Sequence, residues 1–233
     1  MAKKQVNRKS KKGTLNATVM PARGGVHGFD TDTVLTAVSA AAFQKQGFQF
    51  CIRYLSRSTP QAGADLSAGE AQPILDAGLS LMAVQHVMKP RWAPTPGLGT
   101  QFGVAAASNA VTVGFPPGVT VWLDLGGIST GVESDDVITY CNAWCDAVSA
   151  GGYEPGVYVG ADCILSGDEL FWRLKTKHYW RSGSSVPDVP HRGYQLVQRI
   201  GIGPDVVNGI NVDRDHSLTD ALGGTAIWLA PKG

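Results

Sequence analysis

Three aspartates lie near the ends of short apolar runs in this 233-residue chain: Asp30 in 26–31 (VHGFDT), Asp124 in 119–125 (VTVWLDL) and Asp213 in 210–214 (INVDR). Carboxyls gathered in one place can divide the roles of proton donor and proton acceptor, because their surroundings can hold them in different protonation states. The other runs carry a different set: Arg53 and Tyr54, Gln85 and His86, Tyr158, Trp180 and Arg181, and Gln198. Carboxylates for acid–base work, rings for stacking, and amides and guanidinium for hydroxyls together suit a sugar. Each aspartate also has a local reading. Asp30 could cap a following helix, Asp124 before Gly126-Gly127 could form a turn, and Asp213 could pair with Arg214 or Arg53.

These residues come together only if the runs are strands sharing one working end. Eight strands are read at 26–31, 48–55, 79–87, 119–125, 156–160, 177–181, 194–200 and 210–214. Helices are expected at 33–46, with Thr31 or Asp32 as cap and Gly47 as stop, at 67–77, 100–113 and 134–150, and as a short piece reaching Lys175. Ser67/Glu70 and Ser166/Glu169 have the spacing of capping boxes, which gives Glu70 a structural role. A last helix or turn is expected from Ser217. Eight strands with crossovers predict an α/β fold, a (β/α)8 TIM-type barrel irregular in its later helices, with the working face at the C-terminal strand ends. An open doubly wound sheet is the competitor, but no Gly-rich phosphate loop follows the first strand.

Composition fits a folded domain, with 43% hydrophobic and 17% charged residues. Charge is uneven. Residues 1–12 hold six basic side chains and no acid, leaving 14 basic against 19 acidic in the remainder. The division expected is a basic flexible N-terminal arm at 1–25 and a barrel at 26–233. The arm could meet an acidic partner, an anionic surface or nucleic acid, or be only a solvated tail. No apolar stretch follows it in the manner of a Sec-type signal peptide, and no run has transmembrane length, so a soluble protein is expected. Cys51, Cys141, Cys145 and Cys163 match no zinc spacing, and His27 and His86 lack a third ligand. Buried thiols, no metal and no cofactor are expected.

Several runs, in order, resemble a known family. They are Gly28-Phe29-Asp30, Ile52-Arg53-Tyr54-Leu55, Leu66-Ser67-Ala68-Gly69-Glu70-Ala71, Ala77-Gly78-Leu79, Trp122-Leu123-Asp124, residues 152–160 (GYEPGVYVG), Gln195-Leu196-Val197-Gln198 and Val212-Asp213. From about residue 26 to 216 the chain resembles a glycoside-hydrolase-like group related to family 25 lysozymes. The resemblance implies a β/α barrel and a cell-wall glycan such as peptidoglycan as ligand. It implies Asp30, Asp124 and Asp213 as the acidic cluster, with Arg53, Gln85, Tyr158, Trp180 and Gln198 lining the groove. Family 25 lysozymes carry an Asp-x-Glu pair at the fourth strand, the Glu serving as general acid. Here the run reads Asp124-Leu125-Gly126, and the next acid is Glu133, in a loop. Two functions remain open: a lysozyme-like glycosidase led by Asp124 with Glu133 as the candidate acid, or an inactive glycan-binding or structural barrel of a virion or envelope.

Overall fold

A computed structural model describes residues 14–202 and 205–232. Its centre is a closed barrel of eight strands. In barrel order they are β2 (His27–Thr31), β3 (Phe50–Leu55), β4 (Ser80–Gln85), β5 (Thr120–Leu125), β6 (Glu154–Val159), β7 (His178–Arg181), β8 (Leu196–Arg199) and β11 (Asp213–Ser217). The first seven are parallel neighbours in sequence order. The eighth differs from the regular (β/α)8 pattern: β11 runs antiparallel to both β2 and β8. The chain returns from β8 through a hairpin, β9 (Val206–Val207) and β10 (Ile210–Asn211), and not through a helix. Asn208 and Gly209 at its tip both have positive φ, the backbone shape that makes Asn-Gly a hairpin signal.

Among the described residues five helices cover the barrel: α1 (Ala37–Lys45), α2 (Ala68–Asp76), α3 (Pro96–Val113), α4 (Ser134–Ala150) and α5 (Gly167–Arg173). The first begins later than expected. Thr36, not Thr31 or Asp32, is its cap, exchanging hydrogen bonds with Ser39, while the Thr31 hydroxyl is drawn to the Asn211 carbonyl at 2.6 Å. The Ser166/Glu169 box is reciprocal. The Ser67 box is only half made: Ser67 accepts from the Glu70 amide, but the Glu70 carboxylate turns elsewhere. Gly99 and Gly103 let α3 lie directly against α4. A Cβ at Gly99 would sit 2.3 Å from the Tyr140 carbonyl oxygen, and one at Gly103 2.7 Å from that of Trp144.

Both ends of the described chain depart from expectation. Residues 17–21, assigned to the flexible arm, form β1 (Ala17–Pro21), paired antiparallel with β12 (Ile227–Pro231), a strand not foreseen beyond the expected helix or turn after Ser217. Leu15 is already buried and bonds its amide to the Gly114 carbonyl. The basic residues at 3–12 lie outside the described residues. Leu229 of β12 pairs with Leu81 of β4, and Trp228 reaches Phe50 at 5.8 Å between ring centroids.

Alternation along each strand sorts side chains between two cores. Phe50, Ile52, Met82, Val84, Trp122 and Trp180 fill the barrel, while Phe29, Phe43, Leu55, Ile74 and Trp144 belong to the larger cluster between strands and helices. Each large apolar side chain contributes about 1.5–3 kcal/mol by leaving water. Gly28 and Gly156 leave room for the Phe50 and Trp122 rings, which approach an added Cβ to 2.4 Å. All four cysteines are buried and unpaired. Among the described residues no helix is long and apolar enough to cross a membrane.

Candidate functional site

A cavity of about 470 Å³ opens at the C-terminal ends of the parallel strands, lined by Asp30, Tyr54, His86, Asp124, Asp205 and Asp213 among others. That size is typical of a small-molecule site. Strand parity sets the lining: Asp213 of β11 pairs with Asp30 of β2, and Asp124 of β5 lies beside Tyr158 of β6. So Asp30, Asp124 and Asp213 share the cleft. Tyr54 stacks on the His86 ring at 4.5 Å, and His86 Nε2 is held by Asp65 Oδ1 at 2.7 Å.

Asp30 is fixed from several sides. Its Oδ1 accepts from the Tyr54 hydroxyl at 3.1 Å and its Oδ2 from Gln198 Nε2 at 3.0 Å. Gln198 is oriented in turn by the Tyr158 hydroxyl (3.0 Å) and the Gly183 amide (3.1 Å), both donating to its Oε1. Behind Asp30 lies Asp215, 1% exposed, whose Oδ1 accepts from Trp180 Nε1 at 2.9 Å. Asp215 Oδ2 makes no hydrogen bond among the described residues, but it lies near enough to Asp30 that a proton on Asp215 lowers the proton affinity of Asp30.

Burial pushes Asp30 up to about 7, and the nearby Asp213 charge adds to this; the Gln198 and Tyr54 hydrogen bonds oppose it. Burial, then the Asp30 charge, pushes Asp124 to about 7 as well. Asp215 is raised well above the ordinary carboxyl range by burial, then by Asp30. Asp213 is raised by partial burial and by Asp205. The site therefore holds protons near neutral pH: Asp215 as a buried acid supporting Asp30, and Asp124 as a carboxyl facing the same space.

Three expected groove residues lie elsewhere. Arg53 is fully buried on the outer side of β3, its Nε 2.6 Å from Glu70 Oε1 and its Nη1 2.5 Å from the Thr31 carbonyl. Gln85 points outward from β4, donating to the Ser56 and Phe102 carbonyls and accepting from Trp144 Nε1. Trp180 faces inward but is buried beneath Tyr158, with ring centroids 4.6 Å apart. Tyr158 and Gln198 act from just below the cleft surface through Asp30.

Glu133 is exposed at the start of α4, makes no capping bond there, and does not line the cleft. At Gly126 an added Cβ would lie 3.2 Å from the Ala161 carbonyl oxygen and 3.4 Å from Gly160 Cα. The Gly126 carbonyl also accepts from Trp92 Nε1 at 2.9 Å. The position is packed by neighbouring backbone. Among the described residues, no group of three His, Cys, Asp or Glu side chains is arranged to hold a metal ion.

Solved structures share this architecture. The Tat-secreted protein Rv2525c of Mycobacterium tuberculosis superposes with a TM-score of 0.60 at 17% identity, over 83% of this chain and 95% of that one. The bacterial lysozyme of Streptomyces coelicolor gives 0.57 at 18% identity, over 84% and 93%. A family 25 glycosyl hydrolase of Bacillus anthracis gives 0.56 at 10% identity, over 84% and 89%. At these identities the likeness is one of fold. No curated protein matches the chain by sequence. The model of the Rv2525c-like, glycoside hydrolase-like domain matches residues 41–217, and the chain belongs to that family.

Proposed function

We propose that this barrel hydrolyses a glycosidic bond in peptidoglycan or another cell-wall glycan, with Asp124 as proton donor and Asp30 as the ionised partner. The observation that carries the reading is that Asp30 and Asp124 line one cleft, both with raised proton affinity. The Asp30 charge raises the proton affinity of Asp124, so near pH 7 one carboxyl keeps a proton while the other ionises. Tyr54, Gln198 and the Asp215 proton favour charge on Asp30. Among the described residues Asp124 has no such donors, and it is held neutral chiefly by burial. A protonated Asp124 gives its proton to the leaving oxygen, while ionised Asp30 takes the proton of the attacking water or stabilises positive charge at the sugar carbon. Asp213, at the mouth, positions that water.

The substrate class rests on the company the fold keeps: a lysozyme, a family 25 glycosyl hydrolase and the catalytic domain of a Listeria phage endolysin. The assay is release of reducing ends from purified peptidoglycan. Asp124→Asn and Asp30→Asn abolish release, while Glu133→Gln leaves it unchanged; release that survives Asp124→Asn removes that residue from the mechanism.

A second reading is a barrel that holds a glycan without cutting it. Gly126, packed against residues 160–161, favours it, because the position of the lysozyme acid has no carboxyl and no ready space for one. This reading predicts saturable glycan binding with no reducing ends at any pH.

A further inference from the structure

Because β8 and β11 are joined by a hairpin and not a helix, part of the barrel's outer face is left open. A cavity of about 410 Å³ occupies that gap, between the outer side of β2 and β11 and the end of α1. It shares no lining residue with the acidic cleft. Four basic side chains line it: His27, Arg199, Arg214 and His216. They are stacked in direct cross-strand register, Arg214 opposite Arg199 and His216 opposite His27. The two histidine rings lie 4.8 Å apart. The one acid in the lining, Asp215, turns its carboxyl into the barrel, towards Trp180.

Like charges directly opposite in a sheet are destabilising, yet neither arginine has a carboxylate partner among the described residues. Arg214 Nε is buried without a hydrogen-bond acceptor, and its guanidinium lies 5.4 Å from the Phe48 ring centroid. An unpaired buried donor of this kind is costly unless a ligand satisfies it. At the nearby end of α1 the amides of Gln46, Gly47 and Phe48 cap the Phe43 and Gln44 carbonyls. Two guanidinium groups with two imidazoles match an anion of more than one negative oxygen.

We propose that this flank cavity is a binding site for a phosphate ester, its phosphate held by Arg199 and Arg214 with His27 and His216 beside it. The volume exceeds that of a phosphate group, leaving space for a small sugar or polyol carried on the ester. The proposal does not depend on the hydrolytic reading, and Asp124→Asn leaves it untouched.

The test is calorimetric titration of the full chain with three probes: inorganic phosphate, glycerol phosphate and a polyol-phosphate polymer. Glycerol is the uncharged control, and an oligonucleotide the competing phosphodiester. Glycerol phosphate binds saturably and glycerol does not. Polymer binding as well identifies a wall-type polymer source; binding of glycerol phosphate alone identifies a small soluble ester. Arg199 is exposed, so Arg199→Gln folds. It weakens binding about tenfold or more and leaves the ligand-free Tm equal to or above wild type, because a like-charge pair has been relieved. Arg214→Lys is the second variant, keeping the charge but losing the fork, and it also weakens binding. No saturable binding of glycerol phosphate overturns the proposal, as does equal binding by Arg199→Gln. Oligonucleotide binding without monoester binding overturns it in favour of a nucleic-acid surface.

Discussion

Replacing Glu70 by Gln tests whether Arg53 belongs to the scaffold or to the groove. Glu70 is 4% exposed and Arg53 is fully buried. Glu70 Oε1 accepts from Arg53 Nε at 2.6 Å and from the Leu35 amide at 2.8 Å, and its Oε2 meets Arg53 Nη2 at 3.4 Å. Gln keeps the shape and one acceptor, but it removes the counter-charge and turns an amide NH2 toward a guanidinium. Breaking a buried pair from one side costs about 3–5 kcal/mol. For a chain of this size, at about 2–4 °C per kcal/mol, the Tm falls by roughly 6–20 °C. Urea unfolding of Glu70→Gln, Arg53→Met and the double Arg53→Met/Glu70→Leu measures it. The double variant is less destabilised than the sum of its singles, because no uncompensated charge remains buried. Glu70→Gln within about 1 kcal/mol of wild type refutes the reasoning, since surface-like pairs cost no more than that. So does an Arg53→Met variant that keeps its stability and loses only glycan binding.

Two further predictions concern stability. The Asp124 carboxyl is raised from 3.8 to about 7 on folding, so its contribution is fully present below about pH 4 and is lost as pH rises through 7. Asp124→Asn therefore stabilises the fold at pH 8, by at most about 4 kcal/mol, and changes little at pH 4, as denaturant curves at the two pH values will show; equal effects at both would contradict the raised affinity. Gly99→Ala drives a methyl against the Tyr140 carbonyl oxygen. It costs about 1–3 kcal/mol in thermal unfolding as α3 and α4 are pushed apart, and an unchanged Tm would mean that the helices are not in that contact.

The barrel was legible because each run is apolar, of strand length, and bounded by Gly, Pro or a cap. The direction of the last strand was not: hydrophobic pattern is the same read either way. The hairpin signal Asn208-Gly209 between Val206-Val207 and Ile210-Asn211 marks the reversal. Asp30 and Asp124 reach the cleft from the C-terminal ends of β2 and β5, as strand position suggests, whereas Asp213 reaches it from the start of the antiparallel β11. Arg53 and Gln85 were misplaced because both faces of a barrel strand are buried, so a polar residue can point to either core. Parity separates them: Arg53 and Tyr54 are adjacent and must point opposite ways, as must Gln85 and His86. Tyr54 and His86 take the cleft. The same rule, counting two from Asp213, brings Asp215 inward, where it supports Asp30. That Gly126 is packed by the backbone of 160–161 is a contact across β5 and β6 that spacing in one run cannot reveal.

The central claim is that Asp30 and Asp124 share the proton chemistry of one glycan cleft, and the pH dependence of reducing-end release from peptidoglycan tests it most directly. The account predicts release by the wild-type chain that peaks near pH 7, falling at lower pH as Asp30 takes up a proton and at higher pH as Asp124 loses one. It predicts that Asp124→Asn loses about 100-fold or more at every pH. No release by the folded wild-type chain at any pH, or release that Asp124→Asn leaves intact, would contradict it.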